Sequence, residues 1–490
     1  MTVDVDSLGR DADWSGVRAL VTGFGVSGFA AADTLQHLGA HVVVVDEKPA
    51  AEGRRAEEAR LLETLGVDLR LGPGSTDALP DGLDLVVTSP GWPPHAPLLR
   101  AAAEAGLPVW GEVELAWRLR GPDAPPWLCV TGTNGKTTTV QMLDAILRAA
   151  GLRSAAVGNV GRPVLEVVMD PEPLDVVAVE LSSYQLHWSS SIRAESAAVL
   201  NLAPDHLDWH GSFEEYAQAK GRIYHQVSRA CVYNAADPTT ERLVREADVV
   251  EGARAIGFTL GTPAPGMLGL VDDLLADRAF VEDRQNAAAE LAALSDLADP
   301  VPHQVENALA AAALARAHGV PAAAVRDGLR SFRTAPHRIA EVATADGVRW
   351  VDDSKATNTH AAAASLRGVE SAVWIAGGQA KGATFDDLVE GARDRLRGAV
   401  LLGVDRELVA EALRRHAPDV PVVVVDSGED DLMDRVVAAA AELAQPGDTV
   451  LLAPACASFD QFTSYGARGD AFAAAVHRRL GTTPAGPGER

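Results

Sequence analysis

A twelve-residue stretch, "CVTGTNGKTTTV" from Cys129 to Val140, decides how the rest of the chain is interpreted. It stands between an apolar run and a helical pattern, and its Gly-Lys-Thr triplet is typical of a phosphate-binding loop. The spacing is compressed, because the standard pattern has a glycine at the position that Val130 occupies. The first glycine of this stretch is instead Gly132. The question is whether a loop of this length still binds phosphate.

The shorter spacing preserves the groups that phosphate binding needs. Gly132 and Gly135 allow backbone N–H groups to turn toward an anion, and Lys136 supplies a positive charge for terminal phosphates. The hydroxyl of Thr137 can ligand Mg²⁺. The strand before the loop, and the helix that closes at Gly151 after it, favour a phosphate loop over an ordinary turn.

Composition excludes several classes of protein. The 490 residues carry a formal net charge of −25, which argues against non-specific binding to nucleic acid or to anionic membranes. An anionic substrate then needs local cations or helix N-termini. The three cysteines, Cys129, Cys231 and Cys456, are far apart and predict a reducing cytoplasm rather than disulfides. No apolar run approaches the roughly 20 residues of a membrane span, and the acidic N-terminus does not resemble a signal peptide.

The order of the elements predicts an α/β protein with three domains. Short apolar runs alternate with helical stretches, which is the pattern of parallel sheets with crossover helices. Proline-containing breaks at 120–127 and 331–338 divide the chain. We therefore predict domains at 1–121, 122–334 and 335–490. The first and third are expected to be Rossmann-like, and the central one to be a P-loop ATPase-like mononucleotide-binding domain.

The first domain carries a dinucleotide-type fingerprint. Gly23, Gly25 and Gly28 form G-x-G-x-x-G between a strand and a helix, and the next strand ends in Asp46. This pattern specifies a diphosphate-linked nucleotide, and both NAD and a UDP-sugar satisfy it. A tight turn without a ligand is the simpler alternative. A second loop, "VVTSPGWPP" at 86–94, is expected at the same sheet edge, either as part of the site or as an ordinary turn.

Two further strands of the central domain end in polar residues. "LDVVAVELSSYQL" places Glu180 at the end of an apolar run, and "SAAVLNLAPDHLDWHG" provides Asp205 and His206. Groups at the carboxyl ends of neighbouring strands face the ligand crevice, so Glu180 is expected to hold a metal beside the phosphate loop. A capping or salt-bridging role is the alternative. Periodicity alone predicts that Lys220, in the helical stretch 212–227, is a solvated side chain.

Seven motifs taken together resemble the Mur ligase family over nearly the whole chain. They occur in the family's order: "TGTNGKTTT", "GNVG", "ELSSYQL", "NLAPDHLDWHG", "AQAKGRIY", "DDSKATNTHA" and "PACASFDQF". Mur ligases are cytoplasmic, ATP-dependent enzymes that add amino acids to the peptidoglycan precursor. The motifs are most similar to those of members that add D-glutamate to UDP-N-acetylmuramoyl-L-alanine. The resemblance, rather than the spacing, selects a UDP-sugar over NAD for the first domain.

The resemblance implies a role for each matching residue. ATP would be bound by Gly132, Thr133, Asn134, Gly135, Lys136, Thr137, Thr138, Asn307, His337, Arg338, Asp353 and Lys355. The UDP-substrate would contact Gly25, Val26, Ser27, Asp46, Glu47, Ser89, Asn159 and His206. D-Glutamate would contact Thr357, Lys381, Ser458, Phe459 (through its backbone) and Tyr465. Thr137 and Glu180 would hold one Mg²⁺, and His206 with a carbamylated Lys220 a second. The implied catalytic residues are Lys136, Lys220, His206 and Lys355.

The implied reaction activates the L-alanine carboxylate as an acyl phosphate, which the amine of D-glutamate then attacks. Positive charge must offset the repulsion between a carboxylate and a γ-phosphoryl group. The partners are small molecules, and a monomer outside the membrane is expected. Rival interpretations are another Mur or folate-polyglutamate-type ligase, a nicotinamide dehydrogenase built on Gly23–Gly28, and a non-catalytic nucleotide-binding regulator.

Overall fold

The computed structural model describes residues 4–50, 53–172, 174–333, 337–426 and 431–482. Contacts divide these residues into two compact units. The first contains the residues up to Leu202 together with Glu214–Phe332, and the second contains Ala203–Phe213 together with the residues from Arg333 onward. Both units are α/β. The first contains two mainly parallel sheets and the second contains one. The predicted fold class is confirmed.

The first sheet belongs to the first unit and is entirely parallel. Its strand order, β3-β2-β1-β4-β5, reverses direction beside β1, where nucleotides bind in folds of this type. The strands are β1 (Arg18–Thr22), β2 (His41–Asp46), β3 (Asp68–Leu71), β4 (Leu85–Thr88) and β5 (Val109–Gly111). The helices are α1 (Val26–His37), α2 (Gly53–Thr64), α3 (Pro97–Glu104) and α4 (Glu112–Arg118).

The second sheet, also in the first unit, has nine strands in the order β14-β13-β12-β11-β10-β9-β6-β8-β7. Only the β12–β13 and β13–β14 pairs are antiparallel. Its strands are β6 (Trp127–Thr131), β7 (Ser154–Gly158), β8 (Val176–Glu180), β9 (Ser196–Val199), β10 (Ala230–Asn234), β11 (Arg254–Phe258), β12 (Met267–Val271), β13 (Leu274–Asp277) and β14 (Ala289–Ala293). Its helices are α5 (Lys136–Ala149), α6 (Val164–Met169), α7 (Ser183–His187), α9 (Phe213–Gly221), α10 (Pro238–Arg245), α11 (Pro302–His318) and α12 (Ala322–Ser331), while α8 (Leu207–His210) falls in the second unit.

The third sheet forms the second unit and has the order β15-β16-β20-β17-β18-β19, with β15–β16 antiparallel. Its strands are β15 (Ala340–Ala345), β16 (Val348–Asp352), β17 (Ala372–Gly377), β18 (Leu396–Leu402), β19 (Val422–Val424) and β20 (Thr449–Leu452). Its helices are α13 (Thr359–Arg367), α14 (Asp386–Ala392), α15 (Arg406–His416), α16 (Leu432–Leu443) and α17 (Tyr465–Leu480). The loops after β16, β20 and β17 therefore leave three adjacent strands.

Small residues let helices pack closely behind the phosphate loop. Helix α11 is alanine-rich and buries every residue from Asn307 to Ala315. Gly328 of α12 lies so close to α5 that an added Cβ would be 2.4 Å from the Cα of Ile146. Substituting Gly328 with a larger residue would therefore separate α12 from α5.

The helix predicted at 212–227 can be compared with the structure, but the domain boundary predicted near residue 334 cannot. The helical stretch predicted at 212–227 is shorter in the structure, because α9 ends at Gly221 and a 3₁₀ turn follows at Arg222–Tyr224. The predicted domain boundary between 334 and 335 lies outside the described residues. The three domain ranges stay a prediction. None of the helices in the described ranges combines the length and the apolar character that a bilayer span requires.

Candidate active site

The phosphate loop adopts backbone conformations that only glycine accommodates well. Gly132 has φ +156° and Gly135 has φ +84°, and α5 begins at the next residue, Lys136. A Cβ on Gly135 would lie 2.3 Å from Oδ1 of Asn307. The N-cap residue of α5, Gly135, makes no side-chain cap hydrogen bond, and a helix N-terminus of this kind can bind an anion through its first N–H groups. The compressed glycine spacing therefore produces a loop that leads directly into a helix N-terminus.

Two polar side chains hold the loop in shape. Nζ of Lys136 donates to the carbonyl oxygens of Gly132 and Thr133, at 2.9 and 2.8 Å. Asn201, just after β9, accepts from the N–H of Asn134 at 2.9 Å and donates to its carbonyl oxygen at 3.2 Å. Sequence reasoning missed Asn201. Its signal was available, since it is a polar residue at the end of the apolar run "SAAVLN".

Glu180 is a buried carboxylate, one oxygen of which has no hydrogen-bond partner among the described residues. It ends β8, which pairs in parallel with β6, the strand that leads into the phosphate loop. The side chain is 1% exposed, and its Oε1 accepts from Nδ2 of Asn159 at 2.9 Å. Its Oε2 is buried and has no hydrogen-bond partner within the described residues. A buried carboxylate oxygen without a donor is costly unless a cation binds it.

The expectation from periodicity that Lys220 is solvated is wrong. Lys220 is 2% exposed, and its Nζ donates to the Gly132 carbonyl oxygen at 2.8 Å and to Oγ1 of Thr131 at 3.3 Å. The same atom lies 4.8 Å from the ring centroid of Tyr216, whose hydroxyl is 2.9 Å from Oγ1 of Thr133. The helix carries Lys220 inward because Tyr216, Ala217 and Ala219 are buried with it.

In the first sheet, the fingerprint turn is closed by hydrogen bonds and close packing. Gly23 has φ +87°, and a Cβ on Gly28 would lie 1.9 Å from the Gly23 carbonyl oxygen. Gly25 is the N-cap residue of α1 and makes no side-chain cap hydrogen bond. The helix begins at Val26, so the N–H groups of Val26 and Ser27 lie at its N-terminus. The turn thus combines tight backbone approach with a helix N-terminus, as the pattern predicts.

Asp46, which ends β2, and Glu47, which follows it, accept hydrogen bonds from other residues of the chain. Asp46 accepts from the N–H groups of Phe24 and Lys48, at 2.7 and 2.8 Å, and pairs with Arg55 at 3.1 Å. Burial acts to raise its pKa, but these donors outweigh burial and lower it. Glu47 accepts from the N–H of Gly74 at 3.0 Å. Asp46 therefore orders the fingerprint turn, in addition to any contact with a ribose.

The loop after β4 lies beside the fingerprint turn, as expected from the sequence. β4 pairs in parallel with β1, and Oγ of Ser89 donates to the Gly23 carbonyl oxygen at 3.3 Å. Asn159, in the loop after β7, contacts Glu180 rather than this loop. The UDP-substrate residues predicted on the first unit thus form two groups, one around Gly23 and one beside Glu180.

His206 belongs to the second unit. It has φ +55°, a left-handed conformation uncommon outside glycine, at the start of α8. Its backbone N–H donates to Oδ1 of Asp205 at 2.9 Å. Oδ2 of Asp205 lies 3.5 Å from Nδ2 of Asn358, so the two segments of this unit meet at this aspartate.

The predicted nucleotide residues of the second unit cluster around the end of β16. Nδ1 of His337 lies 2.7 Å from Oδ2 of Asp352, and this hydrogen bond raises the pKa of His337. Asp353 is buried, which raises its pKa to about 6, while bonds from Ser365 and Ile339 and the charge of Arg338 oppose the shift. Nζ of Lys355 lies 5.4 Å from the ring centroid of Tyr465, which brings a predicted ATP residue next to a predicted D-glutamate residue.

Four of the predicted amino-acid residues lie on the three loops after β16, β17 and β20, and the fifth, Tyr465, begins α17. Gln379 and Ala457 bridge the last two loops through reciprocal backbone hydrogen bonds of 2.9 Å. Ser458 is buried, whereas Phe459 is 72% exposed. The predicted contact of D-glutamate with the Phe459 backbone stays a prediction. Lys381 has φ +51° and Thr357 follows Lys355 in a tight turn. Burial raises the pKa of the nearby Cys456 thiol to about 12, as expected of a packing residue.

Arg468 of α17 is a buried cation that sequence reasoning missed. It is 1% exposed and donates to Oγ and the carbonyl oxygen of Ser354, at 2.9 and 2.8 Å, and to the Cys456 carbonyl oxygen at 3.2 Å. Burial lowers its pKa to about 10. Arg468 therefore fastens the loop after β16 to the loop after β20. No motif marked it, because an arginine in a helix is usually solvent-exposed.

The structure thus brings together Thr131, the phosphate loop, Glu180, Asn159 and Lys220 in the first unit. His206, His337, Arg338, Asp353, Lys355 and the amino-acid loops lie in the second unit. Within the described ranges, no three His, Cys, Asp or Glu side chains converge on one point. A cation beside Glu180 would take further oxygen ligands from Thr137, phosphate or water.

Comparison with known proteins identifies the class. Three family models match the chain: "Mur ligase MurD-like, N-terminal domain" at residues 17–111, "Mur ligase middle domain" at 130–315, and "Mur ligase, glutamate ligase domain" at 337–456. The chain belongs to the Mur ligase family, whose members are ATP-dependent amide ligases of peptidoglycan precursor synthesis.

Individual relatives narrow the comparison within the family. The chain is 64% identical to the UDP-N-acetylmuramoylalanine–D-glutamate ligase of Streptomyces coelicolor, covering 96% of this chain and 99% of that protein. It is 63% identical to the protein of the same name from Streptomyces avermitilis, again covering 96% and 99%. The fold matches that of UDP-N-acetylmuramate-alanine ligase from Thermotoga maritima, with a TM-score of 0.54, 18% identity and coverage of 95% and 99%.

Proposed function

We propose that this chain joins D-glutamate to UDP-N-acetylmuramoyl-L-alanine, with ATP converted to ADP and phosphate through an acyl phosphate. The observation that carries this proposal is the 64% identity, over 96% of the chain, to a ligase of that name. The geometry supports it, since a phosphate loop, a fingerprint turn and an amino-acid loop cluster all occur on one chain. A dehydrogenase built on the fingerprint alone would leave the phosphate loop without a role.

The residues around the phosphate loop fit Mg²⁺ with ATP. Oε2 of Glu180 is a buried carboxylate oxygen without a partner in the described ranges, which suits a hard divalent cation. Thr137, on the first turn of α5, supplies the hydroxyl that such loops use for the same ion. When bound, Mg²⁺ offsets phosphate charge. The proposal includes a second Mg²⁺ held by His206 and a carbamylated Lys220.

Carbamylation of Lys220 would change the chemical character of its terminus. The unmodified Nζ donates to Gly132 and Thr131, and as an ammonium it has no lone pair for a metal. Addition of CO₂ to the neutral amine forms an N–C bond and releases a proton. The resulting carbamate is an anionic oxygen ligand in a site that is otherwise short of carboxylates.

The side chains of this chain then have distinct tasks. Lys136, with a helix N-terminus behind it, would bind the terminal phosphates and reduce their repulsion of the incoming carboxylate. Lys355 would add a second positive charge. Oδ1 of Asn307 lies against Gly135, 2.3 Å from where a Cβ on that glycine would be. The same oxygen accepts from Oγ1 of Thr139 at 3.2 Å. The D-glutamate amine would attack the activated carbonyl from a site formed by Thr357, Lys381, Ser458 and Phe459 on the loops and by Tyr465 at the start of α17.

The partners are ATP, D-glutamate and the UDP-linked muramoyl-alanine, and neither nucleic acid nor a membrane is involved. We propose that the enzyme works in the cytoplasm, as a monomer.

The test is phosphate release from ATP by purified protein in the presence of UDP-N-acetylmuramoyl-L-alanine. D-Glutamate, L-glutamate, glycine and meso-diaminopimelate are compared as amino-acid substrates. The expected result is phosphate release that requires the UDP-substrate and D-glutamate together. Equal turnover with L-glutamate, or turnover without the UDP-substrate, would overturn the proposal.

A further inference from the structure

The indole of Trp92 lies against the first glycine of the fingerprint turn. A Cβ built on Gly23 would be 3.0 Å from Nε1 of Trp92 and 2.7 Å from Oγ of Ser89. Two hydrogen-bonding groups from the loop after β4 therefore lie beside the backbone of this turn. Gly23 has to lack a side chain partly because Trp92 and Ser89 occupy that space.

The indole N–H of Trp92 is a donor with no acceptor among the described residues, whereas the Ser89 hydroxyl donates to the Gly23 carbonyl oxygen. The ring is only half-buried, packed at the edge of a cluster that contains Leu20, Val86 and Leu99. The N–H therefore lies beside Gly23, the first glycine of the turn that leads into α1. A diphosphate binds at such a turn and helix N-terminus in this type of fold.

Trp188 holds the loop that carries Trp92. Nε1 of Trp188 donates to the carbonyl oxygen of Trp92 at 3.3 Å, and the carbonyl oxygen of Trp188 accepts from the N–H of Gly111 at 2.9 Å. Trp188 directly follows α7, which begins two residues after Leu181 and so continues from the Glu180 strand. A Cβ on Gly111 would lie 3.1 Å from Cβ of Trp188, so the two segments pack tightly.

We propose that the indole N–H of Trp92 donates a hydrogen bond to the diphosphate of the UDP-substrate, and that Trp188 acts as its positioning residue. This inference rests on the proposed function, because it assigns an additional contact to the substrate of that reaction. It also links the nucleotide pocket of the first sheet to the helix that follows Glu180 in the second. Trp92 thereby contributes to recognition of the diphosphate rather than of the uracil.

The test compares Trp92→Phe and Trp188→Phe with the natural chain. Phenylalanine keeps an aromatic ring at each position but removes the N–H donor. Dissociation constants for UDP and for uridine are measured by calorimetry, together with KM for each of the three substrates. A hydrogen bond to a charged phosphate is worth about a tenfold or larger change in affinity.

For Trp92→Phe we expect UDP affinity and KM for the UDP-substrate to worsen by about tenfold or more. Uridine affinity and the KM values of ATP and D-glutamate should stay within about twofold. Trp188→Phe should shift the same two quantities in the same direction by a smaller factor. The matched control is Trp117→Phe. Trp117 lies in helix α4 and packs on Trp127 of β6, so its substitution should change neither the UDP affinity nor the KM for the UDP-substrate.

Several outcomes would overturn the inference. Unchanged UDP affinity in Trp92→Phe would remove the hydrogen bond, and an equal loss for UDP and uridine would make Trp92 a wall of the uracil pocket. If Trp92→Phe fails to fold, unchanged UDP affinity in Trp188→Phe would overturn the positioning role. If the natural chain binds UDP but Trp92→Phe binds it equally well, only this inference fails. If the natural chain does not bind UDP at all, the proposed function fails first.

Discussion

Asn159 donates a hydrogen bond from Nδ2 to Oε1 of Glu180 across 2.9 Å, which leaves Oε2 of the same buried carboxylate without a partner in the described ranges. The asparagine follows β7 and the glutamate ends β8, and the two strands are paired in parallel. One oxygen of Glu180 is thus oriented by the protein, and the other is left for a ligand. This arrangement is typical of metal-binding carboxylates, in which one oxygen is held by a hydrogen bond and the other binds the cation.

The first prediction concerns this pair. Glu180→Gln keeps the shape but removes the charge, so we expect kcat/KM to fall by roughly 100- to 1,000-fold. Asn159→Ala leaves the charge but loses the orientation, and we expect a loss of about 10- to 100-fold with a higher Mg²⁺ requirement. Phosphate release measured over a Mg²⁺ titration checks both. Glu166→Gln, at a partly exposed position on α6, is the control. A fully active Glu180→Gln enzyme would contradict the metal role.

The second prediction addresses the modification of Lys220. Lys220→Ala should lose activity by at least about 100-fold, because the site loses an anionic ligand. Added formate or acetate should restore part of it by supplying a carboxylate in the space of the missing side chain. Lys136→Ala is the control, since its loss is of positive charge and carboxylate should not rescue it. Lys220→Ala with normal activity, or Lys220→Arg with normal activity, would contradict carbamylation.

The third prediction uses Glu112, which is 2% exposed and accepts from the N–H of Leu165 at the start of α6. Burial raises its pKa from 4.5 to about 7. Because the folded pKa is raised, this group stabilises the fold fully below about pH 4.5 and loses that contribution as pH rises to about 7. The difference of about 2.5 units corresponds to on the order of 3 kcal/mol.

Glu112→Gln retains the acceptor oxygen and removes the titration. We therefore expect the variant to gain stability relative to the natural chain as the pH rises from 5 to 8. Urea unfolding at each pH measures this difference, with Glu63→Gln on the exposed side of α2 as the control. A stability difference that stays constant across this pH range would show that Glu112 does not titrate there.

The fourth prediction concerns Arg468. Arg468 bonds Ser354 and Cys456 from three separate nitrogens, Nε, Nη1 and Nη2. A lysine has only one nitrogen at its end and cannot reproduce this planar fork, so Arg468→Lys should loosen the two loops that Arg468 joins. We expect KM for D-glutamate to rise about tenfold or more, with a lower melting temperature. Arg478→Lys on the same helix α17 is a matched control, because Arg478 is solvent-exposed and its one ion pair among the described residues is with Asp434. An unchanged KM for D-glutamate in Arg468→Lys would argue against a role in positioning these loops.

The sequence predicted the parts of the site that are contiguous in the chain. The phosphate loop from Gly132 to Thr138, the fingerprint turn and the loop at Ser89 were each visible as strand, turn and helix. Glu180 was visible because it ends an apolar run. Asn201 could have been found by the same rule. Each of these signals depends on a few neighbouring residues, so no tertiary contact was needed to recognise it.

Other features could not be predicted because they depend on contacts between distant segments. Lys220 is buried where it donates to the carbonyl oxygen of Gly132, which is 88 residues away in sequence. Arg468 donates to the carbonyl oxygen of Ser354, which is 114 residues away. Periodicity gave the wrong environment for Lys220, since it reports which face of a helix is apolar but not which backbone carbonyl oxygens accept from a buried amine.

By itself, the amino-acid sequence determined the α/β class, the phosphate loop, the fingerprint turn and the resemblance to Mur ligases, because short strands and glycine turns are specified by local backbone preferences and hydrophobic pattern. The tertiary structure alone decided that Asp46 orders its own turn, that Lys220 is buried against the phosphate loop, and that Trp188 holds the loop of Trp92. These facts follow from which side chains become neighbours when the sheets assemble, and from the cost of burying a polar group without a partner.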